Sequence, residues 1–256
     1  MLILSTSMVW AADHEILRAN GSGHLVIDPN GAVSELQFDQ SFGKEIDPIL
    51  RDRVQAWRFE PITKEGKPVN AKAHFQLTLQ ADFGDKSTGE LRIVRADFVD
   101  PPVEGKVESR TVVVPPRYPV EALKARLGAE LIVLVKIDET GKVVELSGQN
   151  SWLNGRKGSL SATRQDAAMK AFIEATDKAV SQWQFPELAA QGKHFAEVPV
   201  LFTIGRPTVW RQSYPVQFAK EPWTAEIEAG KLGSVNSDGS STNAEFRLLD
   251  RLDAEG

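Results

Sequence analysis

One phrase occurs twice in this chain, in a setting that also repeats. Asp28-Pro29-Asn30-Gly31-Ala32-Val33-Ser34-Glu35-Leu36 agrees with Asp138-Glu139-Thr140-Gly141-Lys142-Val143-Val144-Glu145-Leu146 at Asp, Gly, Val, Glu and Leu. Downstream, Trp57-Arg58-Phe59 returns as Trp183-Gln184-Phe185, and Gly66-Lys67 returns, after the same gap, as Gly192-Lys193. Several matches in one order point to a duplicated module. Their separation exceeds the roughly 20–50 residues of a solenoid period, so the copies read as tandem domains.

Each copy has the same grammar. Gly23 to Ile27 and Ala32 to Phe38 are β-rich and flank Asp28-Pro29-Asn30-Gly31, where Pro presets φ and Gly accepts a positive φ; this predicts a hairpin. Ile46-Asp47-Pro48 predicts a helix start, with Asp47 capping the free N–H groups and Pro48 at the first helical position. Ile46, Ile49, Leu50, Val54 and Trp57 fall near one helical face, Pro61 closes the segment, and Ala73, Phe75, Leu77 and Leu79 alternate as a last strand. In the second copy, Leu131–Ile137 and Lys142–Leu146 flank the turn. A helix from about Asp166 to Gln184 carries Ala168, Phe172, Ala175, Ala179 and Trp183 on one face. Glu197–Ile204 forms the closing strand, with Val198, Val200, Phe202 and Ile204 on one side. The second copy is longer around Ser151–Arg164, a Gly- and Ser-rich stretch that reads as an exposed surface insertion, with a binding loop as the alternative.

At 256 residues the chain has room for two modest domains, and 41% hydrophobic with 25% charged residues is ordinary globular composition. The formal net charge of −5 provides no basic field, so nucleic acid is not an expected partner. Cysteine is absent, which excludes disulfides, thiolate zinc sites and a cysteine nucleophile.

Met1 to Ala12 is apolar or small throughout. Val9 and Ala11 suit the −3 and −1 positions of a signal-peptidase site, so residues 1–11 read as a signal peptide lacking its basic start, and the protein as periplasmic. The alternative is a first strand of the fold. A helix of 12 residues reaches only ~18 Å, against ~30 Å of hydrocarbon, so no membrane-spanning segment is expected. Between the copies, Asp82–Gly89 is turn-like, Leu91–Val99 reads as one more strand, and Pro101-Pro102 and Pro115-Pro116 bracket a stiff connector. Beyond Gly205 the pattern fades: Gly230–Asn243 is rich in Gly, Ser and Asn and reads as disordered, and Phe246, Leu248, Leu249 and Leu252 could form a docking turn or a frayed tail.

Pro116-Arg117-Tyr118-Pro119, a short helix, a hairpin, a helix ending in Trp-x-Phe and a closing strand: this order resembles the C-terminal domain of TonB. The resemblance covers residues 115–205 well and about 20–80 in reduced form, where Trp57-Arg58-Phe59-Glu60-Pro61, Ser41-Phe42-Gly43 and Ile46-Asp47 are similar to the family's stretches. The first copy lacks the Tyr-Pro opening, and Tyr214-Pro215-Val216 echoes it where no third module follows. The resemblance implies an α+β fold of two TonB C-terminal-like domains, each a small antiparallel sheet with helices packed on one face. The expected limits are 12–81 for a reduced copy, 82–114 for the strand and Pro-rich connector, 115–205 for the fuller copy and 206–256 for a polar, partly disordered tail.

No residue set announces chemistry. His14, His24, His74 and His194 have no metal-ligand spacing, although His24 and His74 fall in strands of the first copy and could meet across a sheet. No nucleophile elbow and no phosphate loop appears. Trp57 and Trp183 read as core anchors before ligand platforms. The resemblance implies a partner instead: in the family the last strand pairs with a short segment of an outer-membrane transporter. The matching strand residues here are Glu197, Val198, Val200, Leu201, Phe202, Thr203 and Ile204. Between them, Pro199 cannot donate a ladder hydrogen bond and suits an edge. The expectation is a non-enzymatic binding module without metal or cofactor, recognising an extended protein segment by strand addition. The alternative is a structural or oligomerisation domain, with homodimer formation open, whose edges its own chain covers. A third reading, an enzyme with a site between the domains, requires convergent titratable groups that the sequence does not show.

Overall fold

The structure is a computed structural model that describes residues 8–10, 16–83, 89–99, 113–155, 161–205, 210–218, 221–227, 232–235, 246–250 and 252. In chain order its elements are β1 (Met8–Trp10), β2 (Ile16–Ile27), β3 (Val33–Phe38), α1 (Ile46–Gln55), β4 (Thr63–Lys64), β5 (Lys67–Pro68), β6 (Ala71–Asp82), β7 (Glu90–Val99), α2 (Val120–Lys124), β8 (Gly128–Ile137), β9 (Val143–Gly148), β10 (Ser151–Asn154), α3 (Ala162–Val180), α4 (Pro186–Ala190), β11 (Phe195–Phe202), β12 (Arg211–Phe218) and β13 (Leu232–Ser234). A 3₁₀ turn at Pro222–Glu226 lies between the last two strands. The chain divides into two compact units. The N-terminal unit comprises His14–Lys106, Gly205–Trp210 and Thr242–Gly256; the C-terminal unit comprises Met1–Asp13, Val107–Ile204 and Arg211–Ser241.

In the N-terminal unit β2 pairs antiparallel with both β3 and β6, and β6 pairs with β7. Alternation puts Leu25, Ile27, Ala73, Phe75, Leu77 and Leu79 on one face. There they bury with Leu50 and Val54 of α1 and with Trp57, Phe59 and Phe98. In the C-terminal unit β8 pairs with β11 on one side and with β9 and then β10 on the other; β12 joins β10 to β1. Leu131, Val133 and Val135 of β8 meet Val198, Val200 and Phe202 of β11 under Met169, Phe172, Ile173 and Val180 of α3. Fully burying one such side chain stabilises by about 1.5–3 kcal/mol, so this inner face holds the unit together.

The repeated phrase folds into the same corner twice. Asp28 Oδ1 accepts the N–H groups of Asn30 and Ala32 at 2.8 and 2.9 Å. Asp138 Oδ1 accepts those of Thr140 and Lys142 at 2.8 and 3.0 Å. Gly31 and Gly141 take φ of 82° and 84°. Their carbonyls accept the N–H of Phe59 at 2.8 Å and of Phe185 at 2.7 Å. One residue before each turn the strand pairing slips, at Val26/Ile27 and at Lys136/Ile137. The Trp57–Phe59 rings stand 6.4 Å apart at 76°, and the Trp183–Phe185 rings 6.3 Å apart at 73°. Both tryptophans are buried, as core anchors. The copies part company at the Gly-Lys steps. Gly66 closes the β4–β5 hairpin, whereas α4 precedes Gly192.

The expected fold class is not what forms. Among the described residues strands far outweigh helices, and long paired strands carry each unit; the four helices do not form a layer over one face of two small sheets. The physical reason is strand length. β2 and β6 run for 12 residues each and β7 for 10, and their pairing registers hold over nearly that whole length. One helix, α1, serves the described part of the N-terminal unit.

Other expectations shift locally. Asp47 does not cap α1: its carboxylate accepts the Ser41 hydroxyl at 2.6 Å and the Phe42 N–H at 2.7 Å, tying the approach loop to the helix. The long helix of the second copy begins at Ala162 and ends at Val180, ahead of the expected span. Within 82–114, β7 is a strand of the N-terminal sheet, whereas Pro101-Pro102 lie outside the described residues. Within 206–256, Tyr214 and Val216 of β12 pair with β10, and Phe246 and Leu248 pack on the N-terminal core. The Glu60 N–H is given to the Arg247 carbonyl at 2.9 Å, and the Leu249 N–H to the Arg58 carbonyl at 2.8 Å. Gly230–Asn243 lies outside the described residues apart from Leu232–Val235. Of residues 1–11, Met8–Trp10 pair with Val216–Phe218, and Met1–Ser7 and Ala11 lie outside the described residues.

Candidate functional site

The sequence directs attention to the closing strand, and the structure places it near a sheet margin. β11 lies between β8, antiparallel over all eight of its residues, and β13, parallel over Phe195–Glu197 only. Val198, Val200 and Phe202 are buried in the core, as their alternation requires. Glu197, Pro199 and Leu201 occupy the opposite face, opposite Leu134, Ile132 and Glu130 of β8. Thr203 and Ile204 lie past the end of the strand and are exposed, because β11 runs from Phe195 to Phe202, two residues earlier than expected.

Backbone direction decides which groups are open. Successive residues of a strand aim their N–H and C=O to opposite sides. The Glu197 carbonyl accepts the Val235 N–H at 3.2 Å, on the β13 side. Ile132, opposite Pro199, turns away from β11: its carbonyl accepts the Gln149 N–H at 2.7 Å and its N–H goes to the Ser151 hydroxyl at 3.2 Å. Pro199 and Leu201 therefore face the open side, and Val198, Val200 and Phe202 face β8. Among the described residues no strand covers β11 on that side beyond Glu197. Pro199 brings no N–H there, which is the placement a proline tolerates. Pro199 itself is buried and Leu201 half-buried; the groups of this rim without a strand partner among the described residues are the Pro199 carbonyl and the Leu201 N–H and carbonyl.

The other outlying strand is guarded. β7 bulges at Val94, between the pairs Thr78–Arg95 and Leu79–Ile93. It carries Glu90, Arg92, Arg95 and Asp97, and Arg53 of α1 donates to the Leu91 carbonyl. Bulges and charges discourage edge pairing.

Behind β11 the support is aromatic. Tyr118 stands edge-on to Phe172 and Phe202, with ring centres 5.7 and 5.5 Å away, and its hydroxyl donates to the Leu127 carbonyl at 2.6 Å. Burial pushes its pKa up to about 12. Trp183 Nε1 donates to the Val114 carbonyl at 3.0 Å. On the outer face Phe195 stacks on Trp223 at 5.9 Å and 7°. Beside that stack a cavity of about 450 Å³ is lined by Leu134, Gln149, Glu221, Pro222, Thr224 and Ala225. Among its described lining residues Glu221 is the one titratable group.

Elsewhere charge serves structure. Asp28 is held below the ordinary carboxylate pKa, chiefly by the Ala32 N–H, and Asp138 likewise, chiefly by the Thr140 hydroxyl. Burial raises the Asp177 carboxyl and lowers the Arg211 guanidinium. Among the described residues no group of three or more His, Asp or Glu side chains is placed to hold a metal. His24 and His74 do meet across β2 and β6, whereas His194 is exposed at the start of β11's approach. Among the described residues no helix is long and apolar enough to cross a membrane.

No family model, no curated protein and no solved structure matches this chain. β13 is the element of this site that sequence reasoning missed. Leu232-Gly233-Ser234 has no alternation to betray a strand, and its pairing is a tertiary event.

Proposed function

We propose that this chain is a non-catalytic protein-binding module of the periplasm, which takes an extended segment of an envelope protein, such as an outer-membrane transporter, as an added strand along β11. The observation that carries the reading is the half-filled rim. The outer side of β11 already accepts a strand over Phe195–Glu197, and among the described residues no strand pairs there with the buried Pro199 or the half-buried Leu201. An edge that takes up one short parallel strand has the geometry to take another. The TonB resemblance of Tyr118-Pro119 and Trp183-Gln184-Phe185 points the same way, and the periplasmic placement rests on the apolar stretch at Met1–Ala12.

Magnitudes set the kind of partner. The three groups without a strand partner, at ~0.5–1.5 kcal/mol each, contribute a few kcal/mol, and association costs ~4–15 kcal/mol. Backbone pairing at the free rim alone is insufficient. Affinity must come from side chains, or from displacing β13 and recruiting Phe195–Glu197 as well. A transient partner fits that arithmetic.

The second reading, a structural domain with a self-covered edge, is favoured by the same β13 pairing at Phe195–Glu197. Titrating the isotope-labelled full chain with synthetic transporter-derived peptides separates them. Strand addition predicts saturable amide shifts at Leu201 and Thr203. Unmoved amides throughout 195–204 support the self-covered domain and overturn the proposal.

A further inference from the structure

The N-terminal unit holds a feature that strand addition does not use. His24 of β2 and His74 of β6 are direct cross-strand partners. Their rings lie 5.8 Å apart, centre to centre, tilted by 37°. The face they share is the one turned away from the core, since Leu25 and Phe75, one residue on, are fully buried. Both histidines are half-buried.

Backbone direction again sharpens the geometry. The Ser22 carbonyl accepts the Asp39 N–H at 3.0 Å, so Ser22 points toward β3. Two residues on, His24 points the same way and turns its N–H and C=O from β6. His24 and His74 are therefore a non-hydrogen-bonded pair, the kind whose Cα atoms come within ~4.5 Å and whose side chains stand closest. Two imidazoles on one tetrahedral ion, each nitrogen at ~2.0–2.1 Å, put their ring centres ~5 Å apart. The observed 5.8 Å is within about 1 Å of that spacing.

The surroundings favour a cation. The Asp39 carboxylate lies 4.0 Å from His24 Nδ1, its other oxygen held by the Ser22 hydroxyl at 2.6 Å. Gln37, opposite His24 on β3, adds a neutral polar group. Lys72, two residues from His74 on the same face of β6, is exposed and free to swing into solvent.

We propose that His24 and His74 form a two-imidazole site for a borderline divalent transition-metal ion such as Zn²⁺, with Asp39 supplying negative charge beside it and water or an outside ligand filling the remaining positions. A site with two protein ligands is open and exchangeable, unlike a closed four-ligand structural site. Bridging β2 to β6, the ion would tie together the two longest strands of the unit.

The test uses the full chain without an affinity tag, titrated with Zn²⁺ alone at about pH 7.5. The readouts are calorimetry and imidazole nitrogen chemical shifts. The expected result is one saturable site whose binding shifts the ring nitrogens of His24 and His74. His24→Gln and His74→Gln should each weaken it at least as much as the roughly 10–100-fold caused by loss of an outer-shell partner. His194→Gln should bind as wild type does. Far-UV circular dichroism identifies any variant that fails to fold, and the wild-type ring shifts stand without the variants. No saturable uptake into the millimolar range, or uptake that leaves the His24 and His74 rings unshifted, overturns the proposal.

Discussion

Replacing Gly141 by Ala should damage this protein far more than replacing Gly192 by Ala, although both glycines have positive φ, 84° and 70°. The left-handed conformation costs a non-glycine residue ~1–2 kcal/mol wherever it occurs. At Gly192 that is the whole effect, because a Cβ there meets nothing within 4 Å. At Gly141 the new methyl would run into the carbonyl group of Phe185 and the nitrogen of Pro186, backbone atoms that cannot swing aside. Relief means moving the segment that enters α4 and weakening the Phe185 N–H to Gly141 carbonyl bond, a further ~0.5–1.5 kcal/mol, and disturbing the buried Phe185. The expected loss is about 2–4 kcal/mol, against about 1–2 for Gly192→Ala. The first copy supplies an independent trial. Gly31→Ala meets the Phe59 carbonyl, whereas Gly66→Ala meets open space. Urea unfolding followed by tryptophan fluorescence measures all four. If Gly141→Ala costs no more than Gly192→Ala, and Gly31→Ala no more than Gly66→Ala, the twice-built corner is not the close contact described.

Three further outcomes follow from individual groups. Asp28 and Asp138 have folded pKa values depressed by hydrogen bonds that favour the carboxylate; their contribution is present above about pH 3.9, the unfolded value, and lost as pH falls through the folded values. The double variant Asp28→Asn with Asp138→Asn should therefore lose less stability than wild type between pH 5 and pH 3, roughly the window that linkage predicts, in urea melts. Tyr118 titrates from 10.0 up to about 12 because burial favours the neutral phenol. That stabilisation is complete below pH 10 and disappears as pH rises toward 12, so Tyr118→Phe should flatten the alkaline limb of the unfolding profile. Leu201→Pro removes the one open N–H of the rim without breaking a β8 bond; the folded spectrum should persist while peptide-induced shifts vanish.

Much of the inner architecture was legible because it is local or periodic. Asp, Gly and the following β-branched residues fixed both corners, and Trp57 and Trp183 lay at the end of apolar helical stripes that do bury them. The alternation of Val198, Val200 and Phe202 gave β11 its facing, and Pro199 its orientation. What stayed hidden is the extent of the strands. Asn20-Gly21-Ser22-Gly23 interrupts the β pattern, yet β2 runs through it because the missing side chains make room for the rings of Phe42 and Phe75. Pro215 obscured β12, although it sits within a paired strand opposite Trp152. The Tyr118-Pro119 and Trp-x-Phe motifs were real local structures, but such motifs do not report how long the neighbouring strands are, and strand length overturned the expected small-sheet architecture. β13 is held by contacts far along the chain, so no short-range rule could have found it.

The most direct trial of the strand-accepting rim is residue-resolved amide hydrogen exchange on the free chain and again with a saturating peptide. The account predicts slow exchange at Val198, Val200 and Phe202 throughout, and a Leu201 amide that exchanges fast in the free protein and slows when the peptide is added. A Leu201 amide already as protected as Val200 in the free chain, and unchanged by peptide, would contradict it.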